Sequence, residues 1–199
     1  MNVTLIKSSM IVPFAIGLLF ATALCAQTQE RRDEVDIHAP YVATPYVVVD
    51  AMLALARVNQ ADLLIDLGCG DGRIAIEAAK RYGARAIGVD IDPQRIAEAK
   101  ENAKREGVEN LVRFEEQNVF DTDLTRATVV TLYLLQNINI RLSPVLKRQL
   151  KPGARIVSHS FDMGIWKPAK TQIIAGDRIF LWTIGQSSGD SNLHREGSE

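Results

Sequence analysis

From residue 44 onward the apolar positions follow two periods that alternate along the chain. Thr44-Pro45 reads as an N-cap and first helical position, and Val48, Ala51, Met52 and Leu55 recur behind it, so the pattern predicts an amphipathic helix over 45–57. Asp62 to Leu67 (DLLIDL) is a short apolar run ending in glycines and reads as a buried strand. Arg73 to Tyr82 carries Ile74, Ala75, Ala78 and Ala79 on one helical face and is closed by Gly83. Ala84 to Asp90 is a second strand. Asp92-Pro93 caps a helix to about Glu106, with Gly107 as its stop. Leu111 to Glu115 is a third strand, and Thr128 to Leu135, rich in β-branched and apolar residues, a fourth and central one. A helix over roughly 139–150, with Pro144 near a break, leads through Lys151-Pro152-Gly153 to a fifth strand, Ala154 to Ser160. Two short runs near 171–175 and 178–185 are close enough to pair as an antiparallel hairpin.

Strands that are apolar along their length and alternate with helices form a parallel sheet covered on both faces. Ligands of such sheets bind beyond the carboxyl ends of the strands, where the strand order reverses. The first strand–helix turn is therefore where chemistry is expected.

The chain ends read differently. Met10 to Ala26 is almost wholly apolar, preceded by Lys7 and followed by the polar stretch QTQERRDE. Ala21-Thr22-Ala23 and Ala26 offer small-residue cleavage positions, the layout of a secretory signal peptide. The run is also just long enough for a short membrane anchor, so residues 1–26 are a signal peptide or an anchor, and residues 10–26 a possible membrane contact. The protein is then exported to a periplasmic space or held at a membrane. Residues 27–39 read as a linker, 40–186 as the domain, and 187–199 as a disordered polar tail.

Composition narrows the chemistry. A formal net charge of -1 over 199 residues argues against an electrostatic nucleic-acid binder. The three histidines are scattered and no Cys/His group has metal-ligand spacing. Cys25 and Cys69, the only cysteines, exclude a disulfide-stapled scaffold.

The turn after the first strand is Asp66-Leu67-Gly68-Cys69-Gly70-Asp71-Gly72-Arg73. Its alternating glycines let backbone approach a ligand closely, and the next helix aims free N–H groups at it. A dinucleotide site would place its third glycine one residue later and seat a pyrophosphate. Here Asp66 precedes the turn and Asp71 lies inside it, which suits a ligand carrying positive charge. Asp90 ends the second strand, where a carboxylate accepts hydrogen bonds from a ribose diol. The implied ligand is an adenosine with a cationic tail, a description that S-adenosylmethionine fits.

DLGCGDGR followed by GVDID resembles the first two motifs of the class I S-adenosylmethionine-dependent methyltransferases, and LKPGARIV at 150–157 is similar to that family's turn into its fifth strand. The resemblance covers nearly all of 40–185. It implies a Rossmann-like, mostly parallel seven-stranded sheet with helices on both faces and the last two strands as an antiparallel hairpin. It also implies that Asp66, Gly68, Cys69 and Gly70 meet the methionine part of the cofactor, that Asp90 holds the ribose and that Ile91 packs on the adenine. An acid after the third strand commonly accepts from the adenine amino group; this chain has Asn118 there, with Val119 beside it. The Cys69 thiol reads as structural.

Pro40-Tyr41-Val42-Ala43-Thr44-Pro45, taken with DLGCGDGRIAIEAAK, resembles the small protein-lysine methyltransferases that include the one acting on the mitochondrial ATP synthase c subunit. That likeness implies Tyr41 and Thr44 near the cofactor and a protein or peptide acceptor. Small-molecule methylation, and binding of the cofactor without turnover, remain alternatives. The [DN]-P-P-[YF] motif of nucleic-acid amino methylation is absent; Tyr133 to Asn137 (YLLQN) stands in its place, with Tyr133 and Asn137 where an acceptor approaches. His159, Asp162 and Trp166 follow at the ligand edge, with His159 as a candidate general base.

Overall fold

The computed structural model describes residues 41–186. The apolar segment 10–26, the linker 27–39 and the tail 187–199 lie outside the described residues. The alternation of periods is realised as α1 (Tyr46–Leu55), β1 (Leu63–Leu67), α2 (Arg73–Tyr82), β2 (Arg85–Asp90), α3 (Pro93–Arg105), β3 (Val112–Glu116), a 3-10 turn (Val119–Asp121), β4 (Val129–Leu132), α4 (Gln136–Gln149), β5 (Arg155–His159), β6 (Lys170–Ile174) and β7 (Asp177–Thr183).

The seven strands form one sheet in the order β3-β2-β1-β4-β5-β7-β6. The first five are parallel; β7 runs antiparallel to β5, and β6 pairs antiparallel with β7. The chain winds outward from β1 to β3, then returns to place β4 on β1's other side, so strand order reverses at the end of β1. Register sets Asp66 of β1 opposite both Gly88 of β2 and Thr131 of β4.

Burial explains the layers. Val48, Met52 and Leu53 of α1, Ile74, Ala75 and Ala78 of α2, and Ile96, Ala99 and Ala103 of α3 share one apolar cluster with Leu64, Ala86, Val129 and Val157 of the sheet. Ile138, Leu142 and Leu146 of α4 are buried outside that cluster, in the layer on the opposite face. Small residues at Ala75, Ala78, Ala99 and Ala103 let helix backbones lie close to the strands.

Four local expectations are corrected. Pro45, not Thr44, occupies the cap of α1 and no side chain caps that helix; the Thr44 hydroxyl is drawn instead to His159. The buried stripe of α1 is Val48, Val49, Met52 and Leu53, rotated from the face that included Ala51 and Leu55. β4 ends at Leu132 rather than at residue 135, because the chain must leave the sheet to enter α4 at Gln136. α4 therefore begins three residues early and runs unbroken through Pro144. The proline forfeits only the bond to the carbonyl of Ile140, an exposed residue.

Candidate active site

The end of β1 leads into a turn whose glycines are required by its shape. Gly68 and Gly70 have φ of 76° and 53°, the left-handed region. A Cβ at Gly68 would stand 2.6 Å from Leu134 Cδ2, and one at Gly70 would collide with the Tyr41 ring. The segment before α1 and the loop after β4 thus close on the turn from two sides.

The turn is built from its own hydrogen bonds. The N–H groups of Gly68 and Cys69 both donate to the carbonyl of Val89, each at 2.9 Å, and that of Gly72 to Cys69 at 2.9 Å. The Gly70 N–H donates to Asp90 Oδ2 at 2.8 Å and the Arg73 N–H to Asp71 Oδ1 at 3.3 Å. Amides expected to face a ligand are consumed because the turn folds back onto β2. What the turn offers is mainly acceptors, the reverse of an anion cradle.

Two carboxylates carry that acceptor character. Asp66 is 2% exposed. Its Oδ1 accepts from Thr131 Oγ1 at 2.7 Å. Its Oδ2 is buried without a hydrogen-bond partner among the described residues. Burial pushes its pKa up to about 7, with the charges of Asp90 and Asp71 adding to the rise and the Thr131 bond opposing it. A buried oxygen of this kind calls for a cationic donor. Asp90 has each oxygen aimed by one amide, Oδ2 by Gly70 and Oδ1 by Asp92 N–H at 3.0 Å, leaving further lone pairs for a diol.

Asp71 departs from the expected role. Burial alone would raise its pKa, but Arg73 forks it, Nη2 to Oδ2 at 2.6 Å and Nε to Oδ1 at 2.9 Å, and holds its carboxyl below the usual range. Its charge is answered inside the protein, so Asp66 and Asp90 alone are left for a ligand. The same guanidinium donates from Nη1 to the Thr44 carbonyl at 2.9 Å, tying the segment before α1 to the turn.

The remaining predicted residues distribute as follows. Tyr41, 48% exposed, lies against Gly70 with the Arg95 guanidinium 4.7 Å from its ring centroid. Thr44 is buried and its hydroxyl is engaged by His159 Nδ1 at 3.2 Å. Ile91 is exposed directly after Asp90. The Asn118 side-chain oxygen accepts from the Phe120 N–H at 3.0 Å and caps the 3-10 turn, with Val119 buried behind it. Cys69 is buried, and burial drives its thiol far above its usual pKa, so it is inert as a nucleophile.

At the β4–β5 edge, the half-buried Tyr133 ring packs on His159 with centroids 3.9 Å apart and on Phe161 at 6.3 Å. Asn137 is exposed in the first turn of α4. His159 is 1% exposed, and burial lowers its pKa, placing it as a support for Tyr133 rather than as a base open to solvent. Gln136 and the Gly164 N–H occupy Asp162, while the Trp166 carbonyl receives the Trp182 indole N–H. Sequence reasoning missed Thr131 and Asn139. The signal for Thr131 was a hydroxyl within the apolar run VVTLYLL, beside a strand carrying an acid. Asn139 Nδ2 donates to Ser158 Oγ at 3.1 Å and to the Phe161 carbonyl at 3.0 Å. It fixes the β5 exit.

Comparison with known proteins identifies the family and agrees with this fold. Residues 66–170 match the model of the ANTKMT methyltransferase domain. A protein-lysine N-methyltransferase of Saccharolobus islandicus is 44% identical over 154 residues, covering 75% of this chain and 96% of that protein. The mouse adenine nucleotide translocase lysine N-methyltransferase is 29% identical over 163 residues, covering 81% and 70%. The crystal structure of an RNA methyltransferase from Salinibacter ruber in complex with S-adenosylhomocysteine superposes with a TM-score of 0.72 at 51% identity, covering 73% of this chain and 95% of that one. The unpartnered Asp66 oxygen, the paired acceptors of Asp90 and the glycine turn fit the ammonium and ribose of such a cofactor. The chain belongs to the ANTKMT methyltransferase family and is an S-adenosylmethionine-dependent methyltransferase.

Proposed function

We propose that the methyl acceptor is a lysine amine of a protein or peptide. The observation that carries this reading is the 44% identity to a protein-lysine N-methyltransferase across 96% of that protein's length. Asp66 Oδ2 takes the cofactor's ammonium group and Asp90 its ribose hydroxyls. The backbone of Gly68, Cys69 and Gly70 lines the methionine part. Ile91, Asn118 and Val119 border the adenine, and Tyr41 and Thr44 flank the turn. When bound, the cofactor supplies a methyl group already activated by a sulfonium.

The protein's own share is alignment and exclusion of water. Tyr133, backed by His159 and Phe161, and Asn137 face the acceptor. A lysine with an ordinary pKa of about 10.4 must give up a proton, at a cost of about 4.6 kcal/mol at pH 7. Desolvation beside a positively charged sulfonium lowers that cost by disfavouring the ammonium form. No dedicated base is required.

We propose that residues 10–26 anchor the protein in a membrane, because an exported, cleaved domain would be separated from its cytosolic cofactor. Met1 retained in the mature chain supports the anchor; a new terminus at Leu24 or Gln27 refutes it.

The Salinibacter ruber relative is named as an RNA methyltransferase, so the test carries both acceptors. The purified enzyme is incubated with methyl-tritiated cofactor and either protein extract or total RNA. Label that survives ribonuclease, is lost to protease and maps to lysine by mass spectrometry is the expected result. Label confined to RNA overturns the reading.

A further inference from the structure

His159 is a buried polar ring that the transfer chemistry does not use. It is 1% exposed, in the last position of β5, and far in sequence from what it touches. Its Nδ1 bonds the Thr44 hydroxyl at 3.2 Å across a separation of 115 residues. Its Nε2 has no hydrogen-bond partner among the described residues, and the nearest carboxylate oxygen, Asp177 Oδ1 of β7, is 3.6 Å away. The ring face lies on Tyr133. A carboxylate only accepts, so the proton belongs on Nε2, and Nδ1 then accepts from Thr44. Burial keeps the ring neutral, as this arrangement requires.

Thr44 is held a second time. Its carbonyl accepts from Arg73 Nη1 at 2.9 Å, and the same guanidinium forks Asp71 inside the glycine turn. Three residues before it, Tyr41 covers Gly70. One short segment, residues 41–44, is thus fixed to the cofactor turn by Arg73 and to the acceptor wall by His159.

We propose that His159 is a positioning residue for cofactor binding, acting through its bond to Thr44 to hold Tyr41 against the glycine turn. The proposal rests on the reading of Tyr41 and Thr44 as neighbours of the cofactor. It differs from a general-base role, in which His159 would exchange a proton with the acceptor and its loss would lower kcat. It differs also from a merely structural role, in which its loss would lower thermal stability and leave cofactor affinity alone.

The experiment measures S-adenosylhomocysteine affinity by calorimetry, and KM for S-adenosylmethionine and kcat with protein extract as the acceptor, on the full chain. Thr44→Val removes the hydroxyl at nearly constant volume. His159→Leu removes both nitrogens. Thr44→Ser keeps the hydroxyl, and His159→Asn keeps a polar atom near Nδ1. The expected result is a weakening of about tenfold in both Thr44→Val and His159→Leu, no further loss in the double variant, and recovery to within about threefold in Thr44→Ser and His159→Asn. KM for the cofactor rises with it in both variants, and His159→Leu, which also removes the backing of Tyr133, lowers kcat as well. Additive losses, or unchanged affinity in Thr44→Val, overturn the proposal. So does a fall in kcat at unchanged KM. Tyr41→Leu separates the two levels. If it weakens binding while the Thr44 and His159 variants do not, the reading of the flanking segment stands and the relay falls; if it leaves affinity unchanged, both fall. Should His159→Leu fail to fold, the Thr44 pair decides alone, since Thr44→Val leaves the β5–β7 packing in place.

Discussion

Asp66 is an acid that the ligand-free protein holds at a cost. Its pKa rises from 3.8 to about 7 because the carboxylate is buried with one oxygen unpartnered. At about 1.36 kcal/mol per pH unit, that rise amounts to about 4 kcal/mol of destabilisation once the group is ionised. The folded value lies above the unfolded one, so the folded state binds the extra proton between them. The stability contributed by the protonated acid is therefore fully present below about pH 4 and is lost as pH rises through 7. Between pH 5 and pH 8 the loss is about 2–3 kcal/mol. Asp66→Asn keeps an acceptor for Thr131 and removes the titration. It leaves a buried amide without a partner, costing about 1–3 kcal/mol, but that penalty is the same at every pH. Urea denaturation of both proteins without ligand at pH 5 and pH 8 isolates the effect. The wild type should lose about 2–3 kcal/mol relative to the variant across that interval. Cofactor binding should show the opposite trend. An ammonium group needs the ionised carboxylate, so affinity should rise about tenfold from pH 6 to pH 8 in the wild type and stay flat in the variant. Parallel stability curves for the two proteins would refute the account of Asp66 as a strained, ligand-directed acid.

Two further outcomes follow from the same geometry. Asp90→Ala removes the acceptor of the Gly70 and Asp92 amides together with the ribose contact proposed for it, and should weaken S-adenosylhomocysteine binding by about 1.5–3 kcal/mol, roughly ten- to a hundredfold, in a calorimetric titration. Thr131→Val deletes the bond that holds the Asp66 pKa down; the midpoint of the pH dependence of cofactor affinity should move to higher pH, and an unmoved midpoint would show that the bond does not act on the carboxylate.

The order of elements and the candidate cofactor turn were legible in the chain because both rest on local rules. The apolar periods of 62–67 and 73–82, the stop glycines at 83 and 107 and the Asp92-Pro93 cap all act within one or two turns of backbone, and each became the expected element. The glycine turn with Asp66 before it and Asp90 ending the next strand was readable for the same reason. In parallel sheets the ligand edge follows from topology, which that alternation dictates. Local rules failed where a distant group competed. Thr44 carries the side chain of a helix cap, yet His159 of β5 takes its hydroxyl. Asp71 looked available to a cation until Arg73 wrapped it while reaching for the Thr44 carbonyl. The charge state of Asp66 depends on Thr131, 65 residues away, and on an enclosure assembled by three strands. The sequence by itself thus determined which elements form and which residues gather at the end of β1. Which of those side chains remain free for a ligand was decided only by tertiary structure, because hydrogen-bond pairing and desolvation are set by neighbours in space.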